Sequence, residues 1–264
     1  MYGFEYHRPK NLDEAVKLLA QHQDASAIAG GQTLLQSLKQ RLAMPSGLVD
    51  LRGVRELAGV RVNGDRVVVG AMTPHNDVAL SAEVRKAIPA LADLAGAIGD
   101  HQVRNCGTIG GSIANSDPAA DYPAAVLGLG ATVQTHQRDI PADKFFLELF
   151  ETALEEGELI KAVSFPIPKR AAYVKFPQPA SRYALVGVMV SEGSDGVRVA
   201  VTGAGSCVFR VREMEDALAK NFSADAIADI HVDAGNLNGD IHGTPEYRAH
   251  LINVLARRAV AAAG

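Results

Sequence analysis

The residues in this chain whose types and spacing fit chemistry fall in two glycine-bearing segments. The first is Ala29-Gly30-Gly31-Gln32-Thr33-Leu34-Leu35. An apolar run, Ser26 to Ala29, leads into the glycines, and Leu34, Leu35, Leu38 and Leu42 follow at helical spacing. A strand that enters a helix through two glycines brings bare backbone close to a ligand. The new helix turns free N–H groups and its positive end toward that ligand, for which a diphosphate is the natural occupant. A plain strand-to-helix turn has the same sequence. The second segment runs from Gly107 to Asp121 and includes Thr108, Gly110, Gly111, Ser112, Ala114 and Asp117. Its N–H and hydroxyl groups suit phosphates and a carboxylate in it suits sugar hydroxyls, whereas a surface loop is the ordinary alternative. Ile109, Ile113 and Ala114 are apolar enough to bury part of it, and buried backbone must find partners. Two such segments in one chain point to a dinucleotide-type cofactor.

Other chemistry is sparse. The chain has no His-Glu-x-x-His, Cys-x-x-Cys, Gly-x-Ser-x-Gly or Gly-Lys-Ser/Thr pattern. Gly203-Ala204-Gly205 lacks the third glycine of a dinucleotide fingerprint and reads as a strand-end turn. Cys106, beside the second segment, is expected to be a small buried or half-buried residue, and Cys207 a structural one. His231-x-Asp233 and Asp240-x-His242 have side chains that ligate metals, but their Gly- and Asn-rich surroundings favour loop capping. Arg257-Arg258 reads as a solvated or interface face of a helix.

The elements that must position these segments can be read along the chain. Its 264 residues allow one large domain or two ordinary ones. With 47% hydrophobic and 21% charged residues it is no disordered or low-complexity chain, and without Trp its core must be aliphatic. A net charge of −4 gives no general attraction to nucleic acid or acidic membranes. The N-terminus lacks the apolar stretch of a signal peptide and no run is long enough to span a bilayer, so the cytoplasm is the expected compartment. Asn11 and Glu14 start a helix reaching about Gln21; strands follow at 26–29 and 48–51 around a helix that Pro45 ends. Asn63-Gly64 marks a hairpin over 60–70, and Thr73-Pro74 opens a helix with Thr73 as its cap. Helices are predicted over 82–97, 124–129, 212–219, 223–229 and 245–263, and strands over 132–136, 159–165, 185–190 and 197–201. Pro166, Pro168, Pro177 and Pro179 mark the best domain boundary. The order predicts the α+β class.

Taken together, Ala29–Leu35, Gly70-Ala71-Met72-Thr73, Gln102–Gly111, Asp117–Pro123, Leu154–Ile160 and Glu246–Leu251 resemble, in order, the FAD-binding medium subunit of molybdenum hydroxylases, the family of carbon monoxide dehydrogenase, quinoline oxidoreductase and xanthine dehydrogenase. The resemblance covers essentially the whole chain. It implies a two-lobed FAD-binding domain like that of p-cresol methylhydroxylase and vanillyl-alcohol oxidase, over residues 1–170 with lobes of about 1–55 and 56–170. A small C-terminal domain of antiparallel sheet plus helices follows over 171–264. By the same resemblance, Ala29 to Leu35 hold the diphosphate, and Thr108, Gly110, Gly111, Ser112 and Ala114 contact the cofactor. Asp121 binds the flavin's polyol chain, and Leu159, Lys175 and Tyr183 lie near the flavin. Ser112 stands where the family often has Asn, and Arg182 where relatives are commonly acidic. The implied partners are a large molybdopterin subunit and a small subunit with two [2Fe-2S] clusters, in a dimer of heterotrimers. Electrons would pass from those clusters to FAD and then to an external acceptor, with no catalytic acid or base and no metal on this chain. Two other readings stay open: a stand-alone flavin oxidase of the vanillyl-alcohol type, for which residues 180–264 leave little substrate domain, and a metal-binding assembly protein using the His231 to His242 segment.

Overall fold

The computed structural model describes residues 1–263. The N-terminal region builds a parallel three-stranded sheet, β1 (Glu5–His7), β2 (Ala25–Ile28) and β3 (Gly47–Asp50), in the order β1-β3-β2. Helix α1 (Leu12–Gln21) links β1 to β2, and α2 (Leu34–Lys39) links β2 to β3. The Asn11 side chain caps α1 by accepting from the Glu14 N–H at 2.9 Å. The Glu14 carboxylate reaches back to the Lys10 N–H, one residue short of a full capping box. Strand β3 is buried throughout, and the wholly buried Asp50 carboxylate takes the Tyr6 hydroxyl and the Arg52 guanidinium.

The second sheet is antiparallel. It contains the hairpin β4 (Val60–Asn63) and β5 (Arg66–Gly70), then β6 (Thr132–Thr135), β7 (Asp139–Pro141) and β10 (Ile160–Pro166), ordered β4-β5-β10-β6-β7. A short hairpin, β8 (Phe146–Glu148) with β9 (Glu151–Thr152), projects before β10. Six helices join β5 to β6: α3 (His75–Leu80), α4 (Ala82–Ala87), α5 (Pro89–Gly96), α6 (His101–Cys106), α7 (Ile109–Asn115) and α8 (Tyr122–Gly128). The single helix predicted over 82–97 is two, because Ile88 precedes a proline and turns extended, with φ −141° and ψ 72°. Thr73 does not cap α3; its hydroxyl is spent on the backbone of Gly59.

The third sheet, β11 (Arg170–Pro177), β12 (Ala184–Gly193), β13 (Gly196–Thr202) and β14 (Phe209–Arg210), is antiparallel in sequence order. The proline-rich stretch therefore supplies an edge strand, and Pro177 sits at its end, where a missing N–H costs least. Helices α9 (Arg212–Lys220) and α10 (Pro245–Ala263) pack on this sheet. The helix predicted over 223–229 is a 3₁₀ turn, Ala224–Ile227. Buried Arg248 fixes α10 by donating to the carbonyls of Leu185 and Gly203 and to Asp240. Helix α8 is buried on every side and joins the second and third sheets through Met189 and Ala200. The molecule is α+β with an aliphatic core. No helix among the described residues is long and apolar enough to cross a membrane.

Candidate functional site

The two glycine segments meet. Gly30 lies so close to the start of the second segment that a Cβ there would stand 2.0 Å from the Cys106 carbonyl oxygen and 2.7 Å from the Gly107 Cα. Gly111 faces Ala29 less tightly: a Cβ there would stand 3.4 Å from the Ala29 Cβ. Around this junction opens a cleft of about 550 Å³, within the range of small-molecule and cofactor sites.

One wall is the turn between β2 and α2. Gly31 takes φ +71°, and the chain re-enters helix at Thr33, whose side chain makes no capping bond. The backbone N–H groups of Gly30, Gly31, Gln32, Thr33 and Leu34 find no carbonyl acceptor among the described residues. Five successive donors without a protein acceptor at the rim of a cleft are free to take an outside acceptor. The second segment forms the facing wall. It follows α6 and folds into α7, and the first N–H groups of α7 are already used: Ile109 donates to the Thr73 carbonyl, Gly110 to the Ala71 carbonyl and Gly111 to the Thr108 hydroxyl. It contributes close backbone approach and the side chains of Ser112 and Asn115, and the N–H groups of Thr108 and Asp117 find no carbonyl acceptor among the described residues.

Of the residues singled out in sequence, Ala29, Gly30, Gly31, Gln32, Thr33, Leu34, Thr108, Gly110, Gly111, Ser112, Ala114, Asp121, Leu159 and Tyr183 line the cleft. Leu35 and Lys175 do not. Leu35 turns to the core beside Ile28 and Leu38. Lys175 stands behind the wall, where its ammonium bonds the Asp121 carboxylate at 3.0 Å and the carbonyls of Ala97 and Arg182. The other Asp121 oxygen accepts from the Tyr173 hydroxyl at 2.5 Å. Burial raises the Asp121 carboxyl above its usual value, against the pull of Lys175 and Tyr173. Burial also raises Asp117 and Tyr183.

Asp117 and Arg182 line the cleft as well, and so do His75, Asn115 and Glu158, to which sequence reasoning gave no role of their own. Glu158 is fixed by Arg138, the Glu155 N–H and the Thr135 hydroxyl; these hold its carboxyl down at about 2. His75 is buried with its Nδ1 unpartnered, 5.3 Å ring to ring from Tyr122, whose hydroxyl is likewise unpartnered. The one available signal for His75 was its place just after Gly70–Thr73.

Burial, and then the charge of Arg104, lower His75 to about 4. The unfolded chain therefore binds more protons between about pH 4 and pH 6.5, so stability rises with pH across that window. Acidifying from pH 7 to pH 5 should cost about 2 kcal/mol through this residue. Urea unfolding of the wild type and of His75→Phe at both pH values checks this. The variant should lose that part of the pH dependence.

Two expectations need correction or completion. Cys106 is exposed, not buried: it ends α6, and its carbonyl, not its thiol, is the part that packs against Gly30. Arg104, two residues away, is turned to the carbonyls of Ile98 and Gly99. In the other segment, Asp233 accepts from the Gly235 N–H, and Asp240 accepts from His242, Gly243 and Arg248.

Residues 2–168 match the family described as FAD binding domain in molybdopterin dehydrogenase. The chain is 36% identical to the carbon monoxide dehydrogenase medium chain of Hydrogenophaga pseudoflava, over 98% of this chain and 96% of that one. It is 35% identical to the nicotine 6-hydroxylase medium subunit of Paenarthrobacter nicotinovorans, over 99% and 98%. Among solved structures, quinoline 2-oxidoreductase from Pseudomonas putida 86 superposes with a TM-score of 0.89 at 31% identity, covering 99% of this chain and 97% of that one.

Proposed function

On the premise that the chain belongs to the FAD-binding medium subunits of the molybdenum hydroxylases, we propose that it is the relay by which such an enzyme passes electrons from a partner's [2Fe-2S] clusters to an external acceptor. It is a flavoprotein component of an oxidoreductase. A bound flavin would supply the redox chemistry, being able to accept single electrons and to release two together. The chain's own residues bind and orient it.

The observation that carries this reading is the row of unpartnered N–H groups at Gly30–Leu34, set across the cleft from α7. These donors match the charge of a diphosphate. Leu51, Met72, Val103 and Leu159 offer apolar surface for flat rings, and Asp117 and Asp121 offer acceptors for hydroxyl groups. Tyr183, 45% exposed, stands at the cleft where an aromatic ring can cover a flavin face. Lys175 acts one step removed, by holding Asp121. The cofactor domain is assigned to residues 1–170 and the C-terminal domain to 171–264, with Lys175 and Tyr173 bringing the second to the edge of the first.

The partners are a large molybdopterin subunit and a small iron–sulfur subunit, assembled as a dimer of heterotrimers. The β8–β9 hairpin supports such contacts, since Leu147, Leu149 and Phe150 are exposed together. Substrate choice lies with the large subunit. Two free cysteines suit a reducing compartment, so the proposed location is the cytoplasm. A stand-alone oxidase is disfavoured, because relatives spanning nearly the whole chain are named as medium chains or subunits.

The test is anaerobic mixing of the flavin-loaded chain with its chemically reduced iron–sulfur partner. The visible flavin bands should bleach as the clusters reoxidise. A chain that carries flavin but stays oxidised beside the reduced partner would remove the relay.

A further inference from the structure

We propose that Glu5, His7 and His22 form a binding site for a borderline divalent metal ion of the zinc type, at the end of the first sheet away from the cleft. One ligand atom from each residue lies within 4.8 Å of the other two. Glu5 and His7 are two apart on β1, so both side chains leave the same face of the strand. His22 ends α1. Its N–H is held by Leu18 and its carbonyl by the Ala25 N–H, so the backbone behind its ring is fixed on both sides. Glu5 is fixed by its own N–H to the Ser46 carbonyl.

The separations favour a shared ion over direct bonding. Glu5 Oε2 stands 3.4 Å from His7 Nε2 and 3.9 Å from His22 Nδ1. Both are long for a charge-assisted hydrogen bond, which closes to about 2.7–2.9 Å. Two ligand atoms, each about 2.0–2.1 Å from a tetrahedral ion, stand about 3.3–3.4 Å apart. The first distance already has that value, and the second needs a rotation of half an ångström or so in an exposed glutamate. The imidazole rings lie side by side, 4.6 Å between centroids and inclined by 32°. His7 Nε2 is shielded from solvent and has no hydrogen-bond partner, an arrangement that costs free energy unless something occupies it.

The donor set, two imidazoles and one carboxylate, suits zinc, and a carboxylate charge offsets part of the ion's. Glu5 and His22 are exposed enough for water to complete the coordination. Bound there, the ion would pin β1, which pairs with β3 alone, to the α1–β2 corner. None of Glu5, His7 and His22 is among the residues that line the cleft. The ion therefore serves stability and takes no part in flavin chemistry. The site is independent of the His231 to His242 segment, whose carboxylates cap their own loops.

The experiment uses the full chain, free of any affinity tag and stripped with a chelator, titrated calorimetrically with zinc chloride. One zinc per chain should bind, with a rise in Tm. His22→Ala should weaken that site at least tenfold and abolish the Tm rise, while its FAD content stays at the wild-type ratio. His22 makes no side-chain hydrogen bond, so this variant should fold. Glu5→Gln should act in the same direction and more weakly. His231→Ala with His242→Ala should leave zinc binding unchanged. Equal zinc binding by wild type and His22→Ala, or loss through the His231 and His242 substitutions instead, overturns the site.

Discussion

Replacing Gly30 by valine is expected to strip the chain of its flavin. The substitution places a Cβ within 2.0 Å of the Cys106 carbonyl oxygen and 2.7 Å of two further backbone atoms. These are main-chain atoms at the junction of α6 and the Gly107 turn, and cannot step aside like the end of a flexible side chain. The two segments must part, and the row of N–H donors at Gly30–Leu34 moves away from α7. Overpacking of this kind typically costs about 1–3 kcal/mol of stability. The cost in binding should be larger, because each donor must stay within about 0.5 Å of its productive position. FAD released by denaturation, measured per chain, should fall to about a tenth of the wild-type ratio or less, a loss on the order of 1.4 kcal/mol or more in binding. Gly193→Ala is the control: nothing lies within 4 Å of its Cβ position, and it should keep both flavin and stability. A Gly30→Val chain that is destabilised yet holds full flavin would place the cofactor elsewhere.

The second large effect belongs to Asp121. Its carboxylate and the Lys175 ammonium are both almost wholly shielded, with 4% and 7% of their side-chain surfaces exposed. Asp121→Ala leaves a buried cation with only carbonyl partners and removes the acceptor of the Tyr173 hydroxyl. Breaking a buried pair from one side costs about 3–5 kcal/mol. Urea unfolding should show a loss of that order, and flavin content should fall with it. The double variant Asp121→Leu with Lys175→Met separates the two roles. Removing both charges should recover most of the stability. It should not recover the flavin, because no acceptor for the cofactor's hydroxyl groups remains at that position. Full flavin content in the double variant would reduce Asp121 to a structural part.

What was legible in sequence follows from how local each signal is. Helix α10 begins at Pro245 and runs to Ala263 as its proline start and long periodic pattern predict, and α1 carries its own cap at Asn11. The hairpin at Asn63-Gly64 is equally self-contained. Strand β1 was not legible: Glu5-Tyr6-His7 has no apolar face and becomes a strand only by pairing with β3. Strand β11 was hidden by its flanking prolines, and is made by β12 across its whole length. Helices α6 and α7 lie in a glycine-rich stretch of poor helix propensity. Helix α6 holds because the Asp100 side chain caps it at the Val103 N–H, and α7 because the carbonyls of Thr73 and Ala71 take its first N–H groups.

The site divides in the same way. Gly30 was legible because close backbone approach demands glycine. His75 and Glu158 were not, since single polar residues on remote elements give no pattern until the chain has folded. Lys175 was placed at the flavin by resemblance. In the structure it reaches the site only through Asp121, because its ammonium is turned to three oxygens behind the cleft wall.

The most direct test of the central claim is the crystal structure of the flavin-loaded chain, read at one place: the distances from the diphosphate oxygens to the backbone nitrogens of Gly30 through Leu34. The account predicts several hydrogen bonds of about 2.7–3.2 Å there, with the flavin extending past α7 toward Tyr183. A diphosphate seated on any other element, with those nitrogens facing solvent, would contradict it.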